Sequence, residues 1–484
     1  MEKLTWFGSA GDTLGLPFNI LAIAFVAAAA VILIGATVAA VIGMTAGELA
    51  RRPIDRVVSL AAKAAKWLLL ALVIIVLVYG IWSVALDAQD RGIAGNIIMR
   101  LMPVWISLIV IYSVSFAMKP KLGLYGKLFD SPVGMLGFGL VMFWVLTAIF
   151  TGIFDMIATH DPLGQVSGMK NKVPGTPMRG AEEGEYLWYL LGGDNLARDV
   201  FSRVVNGSVI VLQIAPLATF FGYIVGISLG LPAGYLGGRL DTVLSFLANL
   251  ILAFPVILLF YLLVTPEIIQ TGIPNYMAAV FFIFPLIFIA VLLNSKYAVL
   301  PHIRTPLLAV VMTVCIWIYA SAVSESGRGT LVDIFPGSID LFDIPSGILV
   351  VFIAVVFVNS PTIFRIMRGL TMDVKTRDYV AAAQTRGETS WYIMLWEILP
   401  NVRGPLIVDF CLRIGYATIL LGTLGFFGLG LPPESPDWGS TINDGRKLIA
   451  AYQHPLLPPA FCLLSLVLGL NLLADGLREQ SLKD

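Results

Sequence analysis

Charged residues are scarce in this sequence, and that scarcity excludes several classes of protein at once. Only 13% of the 484 residues are Asp, Glu, Lys or Arg, whereas soluble proteins carry about 25%. Hydrophobic residues make up 58% of the chain, and the mean hydropathy is +0.88. A soluble enzyme is therefore excluded, and the composition indicates a protein whose solvent is mostly lipid. The 31 basic and 31 acidic residues cancel, so no overall field favours nucleic acid, and we expect no nucleic-acid partner.

Groups that bind metals or nucleotides are also few. Three cysteines lie in apolar runs without metal-ligand spacing, and we interpret them as inert packing residues: Cys315, Cys411 and Cys462. Three histidines lie far apart in loops, without a nearby Cys or paired carboxylate, and we interpret them as solvated or interfacial: His160, His302 and His454. No Gly-x-x-x-x-Gly-Lys-Ser/Thr loop occurs, so no phosphate cradle for ATP is encoded. We therefore predict no catalytic residue and no metal site in this chain.

Long apolar runs are the main feature of the sequence. A bilayer core of about 30 Å needs about 20 apolar residues per helix, and a helix is the open-chain structure that satisfies its own backbone in hydrocarbon. The sequence therefore predicts an all-α polytopic membrane protein with eleven spans. They cover residues 18–46, 67–86, 101–118, 133–154, 208–231, 240–264, 277–294, 305–323, 346–366, 405–431 and 456–474.

Basic residues orient the chain, because Lys and Arg concentrate in cytoplasmic loops. If the N-terminus lies outside, 19 Lys and Arg residues fall in inside loops and 11 fall outside. Six of the inside residues lie between the ninth and tenth predicted spans, from Arg365 to Arg403. We therefore expect an outside N-terminus, a cytoplasmic C-terminus and an odd number of spans.

One pair of charges lies inside a predicted span. Asp409 and Arg413 are one helical turn apart near the inner end of the tenth span. A charge at the bilayer centre costs about 2.5–3.5 kcal/mol on insertion scales, so such residues normally face the bundle interior and pair. Acid before base at a spacing of four is the favourable helical order. The pair is either a local ion pair near the inner interface or part of a substrate path, and the sequence leaves both open.

The inside segment 371–404 has the pattern of a folded element. Asp378 to Thr385 is a good helix former with three consecutive alanines, and Gly387 can take the left-handed conformation that ends a helix. Thr389 or Ser390 can cap a second helix through about residue 398, and Pro400 prevents that helix from running on smoothly. The pattern predicts a helix, a tight turn and a second helix exposed to the cytosol.

This segment resembles the signature of the permease subunits of binding-protein-dependent ABC importers, in the dipeptide/oligopeptide/nickel group. The family's Glu-Ala-Ala triplet, its glycine and its Leu-Pro are matched here by Ala381, Ala382, Ala383, Gly387, Leu399 and Pro400. Residues 191–208, 233–241 and 421–446 resemble further family segments, in matching order. The sequence departs from the family at Ala381, which stands where the family has glutamate, and this removes a charge from the contact that the resemblance implies.

The resemblance implies a six-helix type I permease core with about five additional transmembrane helices. It covers residues 131–264 and 346–484. Residues 1–130 would then be an N-terminal extension with three helices, and residues 265–345 an inserted pair of helices between the two parts of the core. The segment 371–404 would be the cytoplasmic coupling segment.

The resemblance also implies function and partners. The chain would be a permease of an ATP-driven importer of peptides or similar small solutes in the bacterial inner membrane. It would work with a second permease subunit, two ATP-binding subunits that bind ATP and Mg, and an extracytoplasmic solute-binding protein, and it would hold no cofactor itself. The coupling residues would be Asp378, Ala381, Ala382, Ala383, Gly387, Leu399 and Pro400. The outer gate and substrate path would involve Gly425, Gly428, Gly430, Trp438, Asp409 and Arg413.

Two other interpretations remain open at this level. An ion-coupled secondary transporter would work without an ATPase, and it would need several buried ionisable residues and discontinuous helices. Pro255 and Pro285 do interrupt predicted spans, but buried charges are few. A structural membrane scaffold would associate with partners yet support no ATP-dependent uptake.

Overall fold

The computed structural model describes residues 3–41, 53–178, 181, 184–323, 346–429, 431–432 and 435–481. Regular structure in this part of the chain is almost entirely helical, so the predicted all-α membrane fold is confirmed. The chain divides into two compact units, Met1–Pro103 with Met156–Ser202, and Val104–Asp155 with Arg203–Asp484. The four-part division into extension, core, insertion and core remains a prediction.

The first unit combines membrane helices with a folded loop. Its helices and strands are α1 (Gly11–Val41), α2 (Pro53–Val84), α3 (Gly92–Arg100), β1 (Thr176–Pro177) and β2 (Trp188–Tyr189). The two strands pair antiparallel. The chain before α1 crosses to this loop, because the amide of Leu4 donates to the carbonyl of Gly175 at 2.9 Å.

The second unit is a bundle of helices. Those that lie wholly or mainly in it are α4 (Met102–Met118), α5 (Gly123–Leu128), α6 (Pro132–Gly152), α7 (Val200–Leu236), α8 (Gly238–Leu252), α9 (Val256–Leu263), α10 (Pro266–Gln270), α11 (Ile273–Phe281), α12 (Ile283–Lys296), α13 (Pro301–Val323), α14 (Ser346–Val374), α15 (Asp378–Thr385), α16 (Ser390–Tyr392), α17 (Leu399–Asn401), α18 (Arg403–Phe427), α19 (Trp438–Arg446) and α20 (Leu457–Ser481). Short 3₁₀ turns occupy Gly8–Ala10 and Lys119–Lys121.

Ten helices of the described chain are long and apolar enough to cross a membrane, and the bent pair α8–α9 makes eleven if it is one span. The predicted span over residues 240–264 corresponds to this pair, and the sequence did not predict that α8 and α9 meet at 86°. Pro255, at the start of α9, has no N–H to continue α8. Pro285 lies in the first turn of α12, where no helical N–H bond is lost, and there the span continues.

Glycines bring two pairs of core helices close together. Along α6 and α20, a Cβ on Gly137 would lie 2.3 Å from the backbone N of Leu473 and 2.8 Å from the carbonyl O of Gly469. Along α7, four glycines at a spacing of four face α14: Gly222, Gly226, Gly230 and Gly234. Small residues at this spacing let the backbones of membrane helices approach closely. These contacts define the packing of the helices that carry the candidate site.

A buried histidine lies in the folded loop of the first unit. His160 Nδ1 is 3.2 Å from Asp199 Oδ2, and His160 Nε2 is 2.8 Å from the carbonyl O of Tyr186. Both partners accept hydrogen bonds, so an imidazolium with two N–H groups satisfies both. Of the two environments expected from the sequence, solvated or interfacial, a solvated side chain is therefore wrong, because the loop folds over His160 and leaves its side chain 10% exposed.

We expect the first unit to lose stability as the pH rises. Burial alone lowers the pKa of His160, but the hydrogen bond and charge of Asp199, the Tyr186 carbonyl and the charge of Glu185 outweigh it, so the pKa lies above its ordinary value of 6.5. The stabilisation is complete below about pH 6.5 and is lost as the pH rises through the folded-state pKa. Hydrogen exchange of residues 157–178, corrected for the intrinsic rate, should therefore accelerate with pH.

A histidine at an exposed position provides the control. His160→Gln should raise exchange at all pH values and flatten its pH dependence, whereas His302→Gln should keep the native profile, because His302 is exposed. A native protein whose corrected exchange is independent of pH would contradict this assignment.

Candidate functional site

The segment that joins α14 to α18 begins as the sequence predicts. The predicted helix over Asp378–Thr385 is confirmed as α15. Gly387 has a φ of +79°, in the left-handed region that favours glycine. Of the two candidate caps, Thr389 is the one that caps, because its Oγ1 accepts from the amide of Tyr392 at 3.3 Å. The helix, tight turn and second helical element are therefore present.

The second helical element is irregular, which the sequence prediction did not anticipate. α16 is followed by a π turn at Ile393–Ile398 and then by α17. Pro400 explains this change, because it has no N–H for the carbonyl of Trp396 and its ring clashes with that carbonyl in a regular α-helix. π turns inside helices are frequent at functional positions.

α15 presents small residues outward and apolar residues inward. Ala381 and Ala382 are exposed, whereas Val380 and Ala383 have no exposed surface. The buried side belongs to a cluster, here called the inner cluster: Tyr223, Leu231, Ile363, Met367, Val380, Ala383, Ile393, Met394, Leu395, Ile398, Val402 and Leu406. Of the other predicted coupling residues, Asp378, Gly387 and Pro400 are exposed and Leu399 is half-buried. The segment is thus anchored to the bundle and leaves its small side chains accessible.

Polar contacts tie the inner ends of the neighbouring helices to this segment. Gln384 Nε2 donates to the hydroxyl of Tyr235 at 3.1 Å, and Lys375 Nζ donates to the carbonyl of Gly234 at 3.0 Å. Arg368 Nη2 donates to Asp241 Oδ2 at 2.7 Å. The segment 233–241, identified separately in the sequence, therefore contacts both α14 and α15.

The two glutamates nearest to Ala381 in sequence are already paired. Arg386 Nη2 lies 2.7 Å from Glu397 Oε1, and Arg386 Nε lies 3.7 Å from Glu388 Oε1. Both carboxylates therefore share one guanidinium within the segment.

At the other end of α18, glycines shape the turn that precedes α19. Gly428 is left-handed, with a φ of +72°, and the amide of Leu429 donates to the carbonyl of Leu424 at 3.0 Å, which closes the helix. A Cβ on Gly425 would lie 2.4 Å from Asp437 Oδ1. Gly430 lies outside the described residues.

Trp438 is fully buried and joins elements that are distant in sequence. Its Nε1 donates to the carbonyl of Val204 at 2.8 Å, and its ring packs edge-on to Trp144 at 5.0 Å. Arg203, also buried, donates from Nη2 to the carbonyl of Ser435 at 2.8 Å. The start of α7 and the segment 435–446, whose family resemblances are separate in sequence, thus form one polar and aromatic constellation.

Asp437 is the acid of this constellation. Its Oδ1 accepts from the amide of Ser440 at 3.0 Å and so caps α19. Burial raises the pKa of Asp437, and the hydrogen bonds to Ser440 together with the charge of Arg203 offset this only in part. The Asp437 carboxyl therefore fixes the first turn of α19.

The two predicted charges of α18 are paired and have a third partner. Arg413 Nε lies 3.3 Å from Asp409 Oδ2, and the hydroxyl of Tyr223 donates to the same oxygen at 2.5 Å. The side chains are 15% and 19% exposed. Tyr223, Arg203 and the α7 glycines were not predicted as site residues. The glycines carried a signal in their spacing of four, and Arg203 lies in the segment 191–208 that resembles the family.

We expect Asp409→Asn alone to be more damaging than Asp409→Asn combined with Arg413→Gln. The single change leaves a largely buried guanidinium without its carboxylate, whereas the double change removes both charges. Thermal unfolding of the purified chain should show the difference, of about 1–3 kcal/mol. Tyr223→Phe is the matched control, because it removes a hydrogen bond to Asp409 and leaves both charges paired, and it should cost less. Equal losses in the single and double variants would contradict a buried pair.

Comparison with known proteins gives one family match and several similar permease proteins. Residues 303–481 match the family described as binding-protein-dependent transport system inner membrane component. The glutathione transport system permease protein of Pectobacterium atrosepticum is 27% identical over 297 residues, 61% of this chain and 73% of that protein. The dipeptide transport system permease protein of Haemophilus influenzae is 27% identical over 366 residues, 76% of this chain and 96% of that protein. The dipeptide transport system permease protein of Alkalihalophilus pseudofirmus is 26% identical over 326 residues, 67% of this chain and 81% of that protein.

These relatives are permease subunits of ABC transporters, which does not fit an ion-coupled transporter that works alone. The family is one of transport permeases, which are not themselves enzymes. The apolar helices and the family together indicate a multi-pass protein of the inner membrane. Residues 303–481 thus belong to the binding-protein-dependent permease family, and the relatives support a permease of the dipeptide and oligopeptide type of ABC importer.

Proposed function

We propose that this chain forms half of the translocation path of an ATP-driven importer of short peptides. The relatives named for dipeptide and glutathione transport support this substrate class. A second permease subunit would complete the path, and an extracytoplasmic binding protein would deliver the peptide. Two separate ATP-binding subunits would bind ATP and Mg and carry out hydrolysis.

The observation that carries the proposal is the two-sided character of α15. Ala381 and Ala382 are exposed and let the backbone of another protein come close, while Val380 and Ala383 are buried in the inner cluster. A force on the exposed side therefore reaches α14 and α18, because residues of both helices belong to that cluster. ATP-driven closure of the partner subunits would move α15 and switch the path between inward-facing and outward-facing states.

We also propose a direction for the chain in the membrane. The excess of Lys and Arg in one set of loops supports an outside N-terminus and a cytoplasmic C-terminus, with α15 in the cytosol. The constellation around Trp438 would then lie at the outer end, where Gly425, Gly428 and Gly430 would contribute to a gate facing the binding protein. Asp409 and Arg413 are candidates for the substrate path.

Cysteine accessibility tests the orientation and the exposed side together. Ala382→Cys should react with a membrane-impermeant maleimide in inside-out vesicles and not in intact cells. Its neighbour Ala383→Cys is the matched control and should resist labelling, because Ala383 has no exposed surface. Labelling of Ala382→Cys from outside would overturn the orientation.

Reconstitution tests the transport reaction. The tagged chain, purified with its native partners and placed in proteoliposomes with the binding protein, should take up radiolabelled alanyl-alanine only when ATP is supplied. The chain alone should not. Uphill uptake by the chain alone under an ion gradient would overturn ATP-driven import, and ATP-driven uptake of another solute but not of peptides would overturn the substrate class.

A further inference from the structure

The inserted helix pair reaches the coupling segment, although it lies outside the six-helix core that the resemblance implies. One face of α12 points toward that segment, at a helical spacing of three and four residues: Phe288, Val291, Leu292 and Ser295. The first three pack against the inner cluster, which contains Val380 and Ala383 of α15 and Ile393, Met394, Leu395 and Ile398 of the π turn. The inserted pair is therefore in contact with the coupling segment, which also contains α15.

Polar contacts fix the inner end of α12 to a single side chain of the π turn. Trp396 Nε1 donates to Ser295 Oγ at 3.1 Å. The Ser295 hydroxyl donates in turn to the carbonyl of Leu292 at 3.0 Å, so its lone pairs are directed to the indole. Lys296 Nζ lies 5.4 Å from the centroid of the Trp396 ring, within the range of a cation–π contact.

These contacts meet the segment at its most irregular turn. Trp396 lies in the π turn. Its carbonyl receives no hydrogen bond from residue 400, because Pro400 has no N–H. A turn that lacks a regular hydrogen bond is easily deformed, so a contact made there determines whether the turn moves with the bundle or separately from it.

We propose that the inserted helix pair has its own function, which is to brace the coupling segment, with Ser295 and Lys296 acting as positioning residues for Trp396. The brace makes α15 and the π turn move as one body with the core helices. Without it, the segment yields locally when α15 is pushed, and less of the movement reaches the outer end. This inference rests on the proposed coupling role of α15.

Hydrogen exchange on the complete complex in nanodiscs tests the brace without needing to know the solute. In the double variant Ser295→Ala, Lys296→Gln, exchange of residues 390–402 should rise by roughly fivefold, since a hydrogen bond and a cation–π contact are both lost. Lys296→Arg alone should keep native exchange, because Arg also stacks on an indole. Tyr319→Phe is the matched control, since it removes a hydrogen bond to the carbonyl of Ala279 within the inserted pair and leaves Trp396 untouched.

A second measurement separates positioning from simple stability. Addition of a non-hydrolysable ATP analogue should change the exchange of residues 435–446, and the double variant should reduce that change several-fold while retaining near-native ATPase activity. Unchanged exchange at residues 390–402, or an unchanged nucleotide response at residues 435–446, would overturn the brace. If Gly387→Val reduces the nucleotide response and the double variant does not, the brace is overturned and the coupling role of α15 stands. If neither reduces it, the coupling role of α15 fails as well.

Discussion

Gly387→Val should reduce ATP-driven uptake about tenfold while membrane insertion and ATP hydrolysis stay near native levels. Gly387 has a φ of +79°, and a β-branched residue held there costs about 1–3 kcal/mol. A cost of about 1.4 kcal/mol changes the population of the native turn tenfold. A Cβ at this position would meet no atom within 4 Å, so the cost is one of backbone conformation and not of crowding. The turn would open, and α15 would no longer be held in the orientation that its partner recognises.

Two further variants make this result specific. Gly387→Asn should retain most uptake, because Asn adopts the left-handed conformation more readily than other non-glycine residues. Gly369→Val should also be tolerated. Gly369 lies in α14, and a Cβ added there would meet no atom within 4 Å, as at Gly387. The measurement is uptake and ATP hydrolysis by the same reconstituted complex. Native uptake in Gly387→Val would argue against α15 as the element that transmits movement.

Gly230→Ala should destabilise the core, even though alanine is the better helix former. Its Cβ would lie 2.7 Å from the carbonyl O of Phe364 and 3.0 Å from Met367 Cβ, so α7 and α14 must separate. Overpacking of this kind costs about 1–3 kcal/mol, more than the roughly 1 kcal/mol that alanine contributes in a helix. We expect a lower temperature of unfolding in detergent and weaker ATP-driven uptake, because α14 leads directly into the coupling segment.

The matched control lies two turns earlier on the same helix. A Cβ at Gly222 would have Ile363 Cδ1 as its nearest neighbour, at 3.4 Å, and the end of that flexible side chain can move. Gly222→Ala should therefore be neutral or slightly stabilising. If the two variants unfold at the same temperature, the close approach of α7 to α14 does not limit stability.

The spans and α15 could be predicted from sequence because local rules determine them. An apolar run of 20 residues must become a helix in hydrocarbon, whatever its neighbours are. The three alanines and Gly387 define the limits of α15 by intrinsic preference. The same rules identify Pro255 and Pro400 as interruptions, but they did not predict the bend between α8 and α9 or the π turn before α17. How far a proline bends a helix depends on what packs against the broken turn.

Other parts of the candidate site depend on residues far apart in sequence. Trp438 carries a family resemblance, yet its burial depends on Val204 and Trp144, which no local pattern relates to it. His160 is enclosed by the loop and its pKa is raised because Asp199 and the carbonyl of Tyr186 converge on it. Tyr223 joins the Asp409 pair from another helix.

Composition and long apolar runs by themselves determined that this protein is a helical membrane protein, since hydrocarbon allows a chain of this kind few alternatives. The three alanines before Gly387 predicted the short helix α15. Only the tertiary structure decided which helices approach closely, that α8 and α9 meet at a sharp bend, and that α12 contacts Trp396. The physical reason is that insertion into lipid depends on each segment's own composition. Packing depends on which surfaces meet, and those surfaces come from residues separated by a hundred positions or more.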